Sequence, residues 1–358
     1  MRVAPPPSSR ESEPTAAPAA RHPAPTAPPR RRAARRTVLV TTGLFLAAVA
    51  LSVLSLTLGK YPIAPDRLLA VALGTGSDFE RLVLVEWRLP TAIAAVVFGA
   101  ALGLAGAIVQ RLTRNPLGSP DLVGIDVGAF TGVAIAMILL GAKGFWQVAA
   151  AASLGGLLTA ALVTVLAYRG GLSTFRLIVV GIAVAAALGS VNAYLITRAD
   201  VGDAMSVGLW GAGSLTRVSW ESLAPSVVIL VLVGAAALLT TRSLRSLDLG
   251  DDVATAHGVA VVRLRLTLIA LAVVLTAVVT ANTGPLAFVA LAAPHVARRL
   301  APGTGLIPAI GAGAFLLASA QLVALVLGLA GIAAPVGLVT LSLGGAYLLT
   351  LLVGARRR

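Results

Sequence analysis

Cysteine is missing, lysine occurs only twice, and charged residues make up just 12% of the 358-residue chain. Without cysteine there are no disulfides and no thiolate metal sites, whatever the compartment. The two lysines, Lys60 and Lys143, are followed by Tyr61 and Gly144. No GxxxxGK[ST] phosphate loop therefore exists, and the chain has no Walker-type means of driving itself with ATP. The three histidines, His22, His257 and His295, lie too far apart for a local metal-ligand pattern. What fills the chain instead is alanine, leucine, valine and glycine: 58% of residues are hydrophobic and mean hydropathy is +0.94. Those values belong to a membrane protein.

A helix needs about 20 apolar residues to cross the hydrocarbon layer. Such runs fall at 37–58, 91–111, 122–141, 146–168, 174–197, 222–241, 262–282, 285–298, 305–328 and 334–354. The expected fold is an all-α polytopic membrane protein of about ten transmembrane helices. The run at 285–298 is short and starts at Gly-Pro, which suits a half-crossing or tilted helix. Glycines recur at Gly99, Gly103 and Gly106 and at Gly311 and Gly313, a spacing that lets helix backbones approach closely. Residues 1–36, rich in Pro, Ala, Ser and Arg, are expected to form a disordered basic tail, leaving 37–355 as one integral membrane domain. The tail's arginines against an apolar run resemble a signal peptide. The run is long enough to span and lacks a clear small-residue cleavage site before Lys60, which favours a retained first span.

The formal charge of +14 would suggest nucleic acid in a soluble chain. Threaded through ten spans, 21 Lys and Arg fall on the N-terminal side and 7 on the other, while acids divide seven and seven. The excess therefore reports membrane topology with cytoplasmic termini, and nucleic acid is not an expected partner. The stretch QRLTRNPLGSPD, 110–121, then joins spans two and three in the cytoplasm. Asn115-Pro116 and Ser119-Pro120-Asp121 are turn and helix-start chemistry, with Ser119 or Asp121 able to cap the next helix. Ion-driven carriers usually keep carboxylates or histidines inside their spans. Here Asp126 is the only acid lying clearly within one, which disfavours proton or sodium coupling. The longest cytoplasmic loop, 242–262, sets Leu247, Leu249, Val253, Ala254 and Val259 among Asp248, Asp251 and Asp252. Gly250 and Gly258 bracket a short amphipathic helix there, Gly258 able to end it left-handed and Asp251 or Asp252 suiting its positive N-terminus. Its acids would be repelled by anionic lipid, so a protein partner fits it better than a headgroup surface.

Three stretches occur together: RLP at 88–90 with GAALGLAGAIVQRLTRNPLGSPDLVGIDVGA at 99–129, LDLGDDVATAHGV at 247–259, and GPLAFVALAAPHVARRL at 284–300 with PVGLVT at 335–340. In this order they resemble the FecCD family of ABC-importer permeases, the membrane subunits that take up ferric siderophores, haem and cobalamin. The resemblance covers about 37–354. It implies a type II importer permease, not an enzyme, that passes an iron chelate by alternating access, with siderophore the commonest family cargo. It also implies that this chain holds no cofactor, since ATP and Mg²⁺ sit on a separate cytoplasmic ATPase.

Residue by residue, the resemblance makes Leu247, Leu249, Gly250, Asp251, Asp252, Ala254, His257 and Gly258 the ATPase-coupling element, with His257 where the family more often has leucine. A cytoplasmic turn and gate would comprise Asn115, Pro116, Leu117, Pro120, Pro294, His295 and Arg298, although Arg298 and Arg299 also serve as a plain topological anchor. An extracytoplasmic solute-binding protein would dock on Gly59–Pro90 and on 210–220. Arg88 matches the first arginine of an RLPR pattern whose second is here Thr91, with Arg81 and Arg217 as substitutes. A second permease copy, identical or not, would complete the passage within the lipid. Asn192 and Gln321 are candidate lining residues, though polar residues in spans more often bond neighbouring helices. Relatives often carry an Asp and an Arg before PVG, where this chain reads SAQLVALVLGLAGIAAPVG. An ion-coupled carrier working without an ATPase, a non-transporting scaffold, and haem or cobalamin as cargo are the alternatives.

Overall fold

The computed structural model describes residues 30–168, 174–301 and 305–356. Every element described is helical, as an apolar chain in lipid must be if its backbone groups are to pair within each segment. In order these are α1 (Arg30–Thr57), α2 (Pro65–Ala72), α3 (Asp78–Arg81), α4 (Leu89–Thr113), α5 (Ile125–Ala134), α6 (Phe145–Ala167), α7 (Thr174–Arg198) and α8 (Val201–Gly211), followed by α9 (Trp220–Leu239), α10 (Thr241–Asp248), α11 (Asp251–Ala256), α12 (Val261–Thr283), α13 (Val289–Leu300), α14 (Ile307–Leu329) and α15 (Val336–Arg356). Seven are long and apolar enough to cross a membrane, and α5 and α15 add shorter apolar helices. The 12-residue α13 rises about 18 Å at 1.5 Å per residue, a half-crossing as its sequence suggests.

The elements depart from the sequence reading in five places. Residues 30–36, expected in the tail, form the first turns of α1, because arginine and alanine are good helix formers and no Pro or Gly intervenes. The remainder of the expected tail, 1–29, lies outside the described residues. The second span is the end of a 36-residue helix, Asp78–Thr113, in which a π-helical stretch, Leu82–Arg88, joins α3 to α4. Helix α8 occupies a stretch read as loop. The segment 247–259 is the junction of two short helices, α10 and α11, with Gly250 between them at φ 123°. Finally, Ser119 caps no backbone group: its hydroxyl donates to Asp121 Oδ2 at 3.4 Å, and α5 begins after left-handed Gly124.

Helix α4 is the axis of the bundle. Most of its side chains are buried, whereas α1 and α7 are largely exposed. It packs on α1, α9, α12, α13 and α14 around Phe98, Ile108, Leu275 and Leu317. A side chain at Gly99 would strike the Gly313 carbonyl, at Gly103 that of Ala309, and at Gly106 that of Ala290, so three glycines on one face permit contact with α14 and α13. A second group, α5, α6 and α7, meets the first across α12 through Ile125, Val163 and Val273.

Candidate functional site

At the end of the bundle that gathers Arg111, Arg114, Arg265 and Arg298, here the basic end, α4 terminates on left-handed Arg114, φ 48°. The Arg114 guanidinium donates to Leu247 O and to Asp251 Oδ1, both at 3.1 Å. The same Asp251 oxygen accepts from Arg265 of α12 at 2.9 Å. Arg111 lies 3.6 Å from Asp248. Helices α10 and α11 are thus clamped to the ends of both α4 and α12. The clamp orients them. Leu247 and Ala254 are buried beneath, whereas Leu249 is 69% and Val253 39% exposed, so an apolar edge faces away from the protein beside exposed Asp252. Gly258 closes α11 at φ 76°, and His257 Nδ1 lies 3.3 Å from Ser246 Oγ.

The turn beside it is ordered by its own chemistry. Asn115 Oδ1 accepts from Leu117 N at 2.9 Å, leaving Pro116 and Leu117 exposed and Pro120 buried. His295 Nε2 donates to Pro116 O at 2.7 Å, which fixes the tautomer at that nitrogen, and its ring meets Tyr347 edge-on. Pro294 is buried one residue before. Gln110 bridges two helices: its amide donates to Leu291 O at 3.0 Å and its oxygen accepts from Arg298 at 2.8 Å. The structure therefore joins two candidate groups of the sequence into one network, through residues that reading had not assigned: Gln110, Arg111, Arg114, Asp248 and Arg265. Gln110 left a trace in the sequence as the first polar residue after the apolar stretch 92–109. No spacing signals a contact between Arg114 and Asp251, 137 residues apart.

At the opposite end Arg88 is turned inward, donating to Leu56 O at 2.7 Å and Tyr61 O at 2.6 Å. Arg81 is exposed, and Arg217 is half-buried in the single turn Leu215–Arg217. Thr91, in the place of a second arginine, donates to Trp87 O at 3.2 Å. Asp126 accepts from Thr280 at 3.0 Å. Asn192 is buried, as is Gln321. Among the described residues no group of three or more His, Cys, Asp or Glu could hold a metal.

A family model described as the FecCD transport family matches residues 46–354. The chain belongs to the FecCD transport family. It is 44% identical over 327 residues, 90% of this chain and 98% of the relative, to the ferric enterobactin transport system permease protein FepG of Escherichia coli. Identity to the iron(3+)-hydroxamate import system permease protein FhuG of Bacillus subtilis is 36%, over 89% of this chain and 98% of that one. A solved structure assigned to a metal-chelate type ABC transporter, in an inward-facing conformation, superposes with a TM-score of 0.75 at 27% identity, covering 88% of this chain and 99% of that one. This FecCD chain is therefore a multi-pass permease subunit of an ABC importer and not an enzyme.

Proposed function

We propose that the chain passes an iron(III) chelate of the siderophore type across a bacterial cytoplasmic membrane by alternating access, with the basic end and both termini in the cytoplasm. The observation that carries the reading is the Asp251 fork. One carboxylate holds the ends of α4 and α12 together under an outward apolar edge, Leu249 and Val253. A cytoplasmic ATPase seated on that edge would shift α10 and α11 as it closes on ATP. The displacement would reach α4 and α12 through Asp251, and α13 through Gln110 and Arg298. ATP and Mg²⁺ stay on the ATPase, and no cofactor is held by this chain. A binding protein would deliver the chelate at the opposite end, and a second permease copy would complete the passage. The 44% identical relative acts on ferric enterobactin by its name, and other relatives are named for hydroxamate and citrate iron complexes, which supports a siderophore as cargo. Residues 1–29 would serve as a basic cytoplasmic extension ahead of α1 and the permease domain.

The test is uptake of iron-loaded siderophore into proteoliposomes carrying the full permease, its partner ATPase and its binding protein. Import should need internal ATP and an intact ATPase. Import driven by a proton or sodium gradient without ATP would replace this reading with an ion-coupled carrier.

A further inference from the structure

At the end opposite the basic network, a pocket of about 230 Å³ opens between the Gly59–Lys60 turn, the Ser214–Thr216 turn and the facing ends of α14 and α15. Lys60 is exposed and makes no ion pair or hydrogen bond among the described residues. Ser214 and Thr216 line the wall with hydroxyls 2.8 Å apart, and the N-terminus of the 21-residue α15 borders it at Val336. On the wall contributed by α14 lies Gln321, only 9% exposed, whose carboxamide bonds no other group among the described residues. A polar residue inside a span ordinarily serves to bond a neighbouring helix. Gln321 does not, and its amide atoms keep surface open to the cavity, where a group within it can complete them. The lining thus brings a free ammonium, an amide, two hydroxyls and the positive end of a helix to one cavity, with no carboxylate among the lining residues.

From this geometry we infer a subsite for one anionic, oxygen-bearing arm of a small chelate arriving from the binding-protein side: Lys60 neutralises the charge while Gln321 donates to the oxygen. Two observations favour a small molecule over a carboxylate on a docked protein. Gln321 lies eight residues before the end of α14 at Leu329, about 12 Å along the axis at 1.5 Å per residue, deeper than one acidic side chain reaches from a surface resting on the loops. The volume also falls below the roughly 300–1,000 Å³ of pockets that enclose whole drug-sized ligands, which suits a single arm. The inference rests on the proposed function for the arrival of a chelate, and it adds that the cargo carries negative charge.

The experiment uses the full permease in nanodiscs without its binding protein. Binding of the iron(III)–tris(catecholate) trianion is compared with that of an uncharged iron(III)–trihydroxamate complex. The trianion should bind more tightly, lose affinity as salt rises, and shield Lys60 from amine acylation. K60E should weaken it about tenfold and K60R should preserve it, since charge rather than shape is at work there. Q321L should weaken both complexes, with protein stability unchanged or raised. Equal binding of the two complexes, unaltered by K60E, overturns the subsite. So does an effect of K60E confined to association of the binding protein, which would make the pocket a protein-docking contact. ATP-driven uptake that persists in K60E with unchanged charge preference would sink the subsite and leave the proposed function standing. Absence of any ATP-driven chelate uptake in the wild-type assembly would instead sink that function.

Discussion

The two ends of this bundle are held together by different chemistry. At the basic end, four stretches of the chain meet through charged side chains: Arg111 and Arg114 at the end of α4, Asp248 and Asp251 on the short helices, Arg265 on α12, and Arg298 on α13. At the opposite end the backbone itself does the joining. Ser214 N donates to Thr283 O at 2.6 Å and Gly337 N to Gly213 O at 3.0 Å, so the breaks before the single turn 215–217, after α12 and before α15 lock into one another. Trp220 Nε1 adds a bond to Val85 O at 2.8 Å, and Arg88 ties the end of α1 to the same wall. Half-exposed ion pairs contribute little energy each and exchange partners readily. Close-packed backbone has one arrangement. The contrast suits an importer in which the basic end is moved and the opposite end acts as the frame.

The largest effect that could break this comparison is expected at the frame. Gly213 sits at φ 70°, and a methyl there would land on Pro285 O. Gly213→Ala combines left-handed strain with overpacking and should cost about 2–4 kcal/mol. Gly43, with open space around it, is the control: Gly43→Ala should leave stability the same or slightly higher. Thermal unfolding of the two variants in detergent decides, and equal midpoints would show that the frame is not rigid.

Next comes the moving end, where stability and transport should separate. Asp251 is 45% exposed, so Asp251→Asn should cost no more than about 1 kcal/mol in folding. ATP-driven uptake should nevertheless fall about tenfold, because the shared anchor of α4 and α12 is gone. A variant that melts early but still transports would place Asp251 in the frame instead. A smaller loss, about three- to fivefold in ATPase association, is expected for Leu249→Ser, which removes exposed apolar surface without touching the protein core. Its unfolding midpoint should not move.

How much of this was legible beforehand follows the same divide. Gly250 and Gly258 announced the bounds of α11, and Asn115-Pro116 announced a turn, because each conformation is dictated by residues within a few positions. The fork at Asp251 was not legible, since its partners are supplied by the packing of α4 and α12, not by local spacing. Helix α8 was hidden by three glycines in VGDAMSVGLWG and by the acid-rich flank RADVGD, which read as a loop until Val207 and Trp210 were seen buried against Phe130. Arg88 was legible as important by its motif. Its hold on Leu56 and Tyr61 depends on Gly59, where a side chain would collide with the guanidinium.

The smallest effect sharpens the comparison by showing that the Arg67–Glu80 ion pair at the frame end is local. Arg67 donates to both oxygens of Glu80 at 2.9 and 2.8 Å, and Ser77 N donates to the same carboxylate at 2.9 Å, closing the loop between α2 and α3 upon itself. The Arg67 guanidinium, with the Ser77 amide behind it, lowers the Glu80 carboxyl from the usual 4.5 to about 2. A carboxyl held below its unfolded value stabilises the loop fully above about pH 4.5, and that contribution fades as pH drops towards 2. Limited proteolysis between residues 59 and 81 should therefore accelerate below pH 4.5 in the wild type. In Glu80→Gln it should be fast at every pH, while chelate uptake at neutral pH stays close to normal. If loss of Glu80 instead abolished uptake, the ion pair would belong to the transport machinery, and the division between a moving end and a rigid frame would fail at its simplest point.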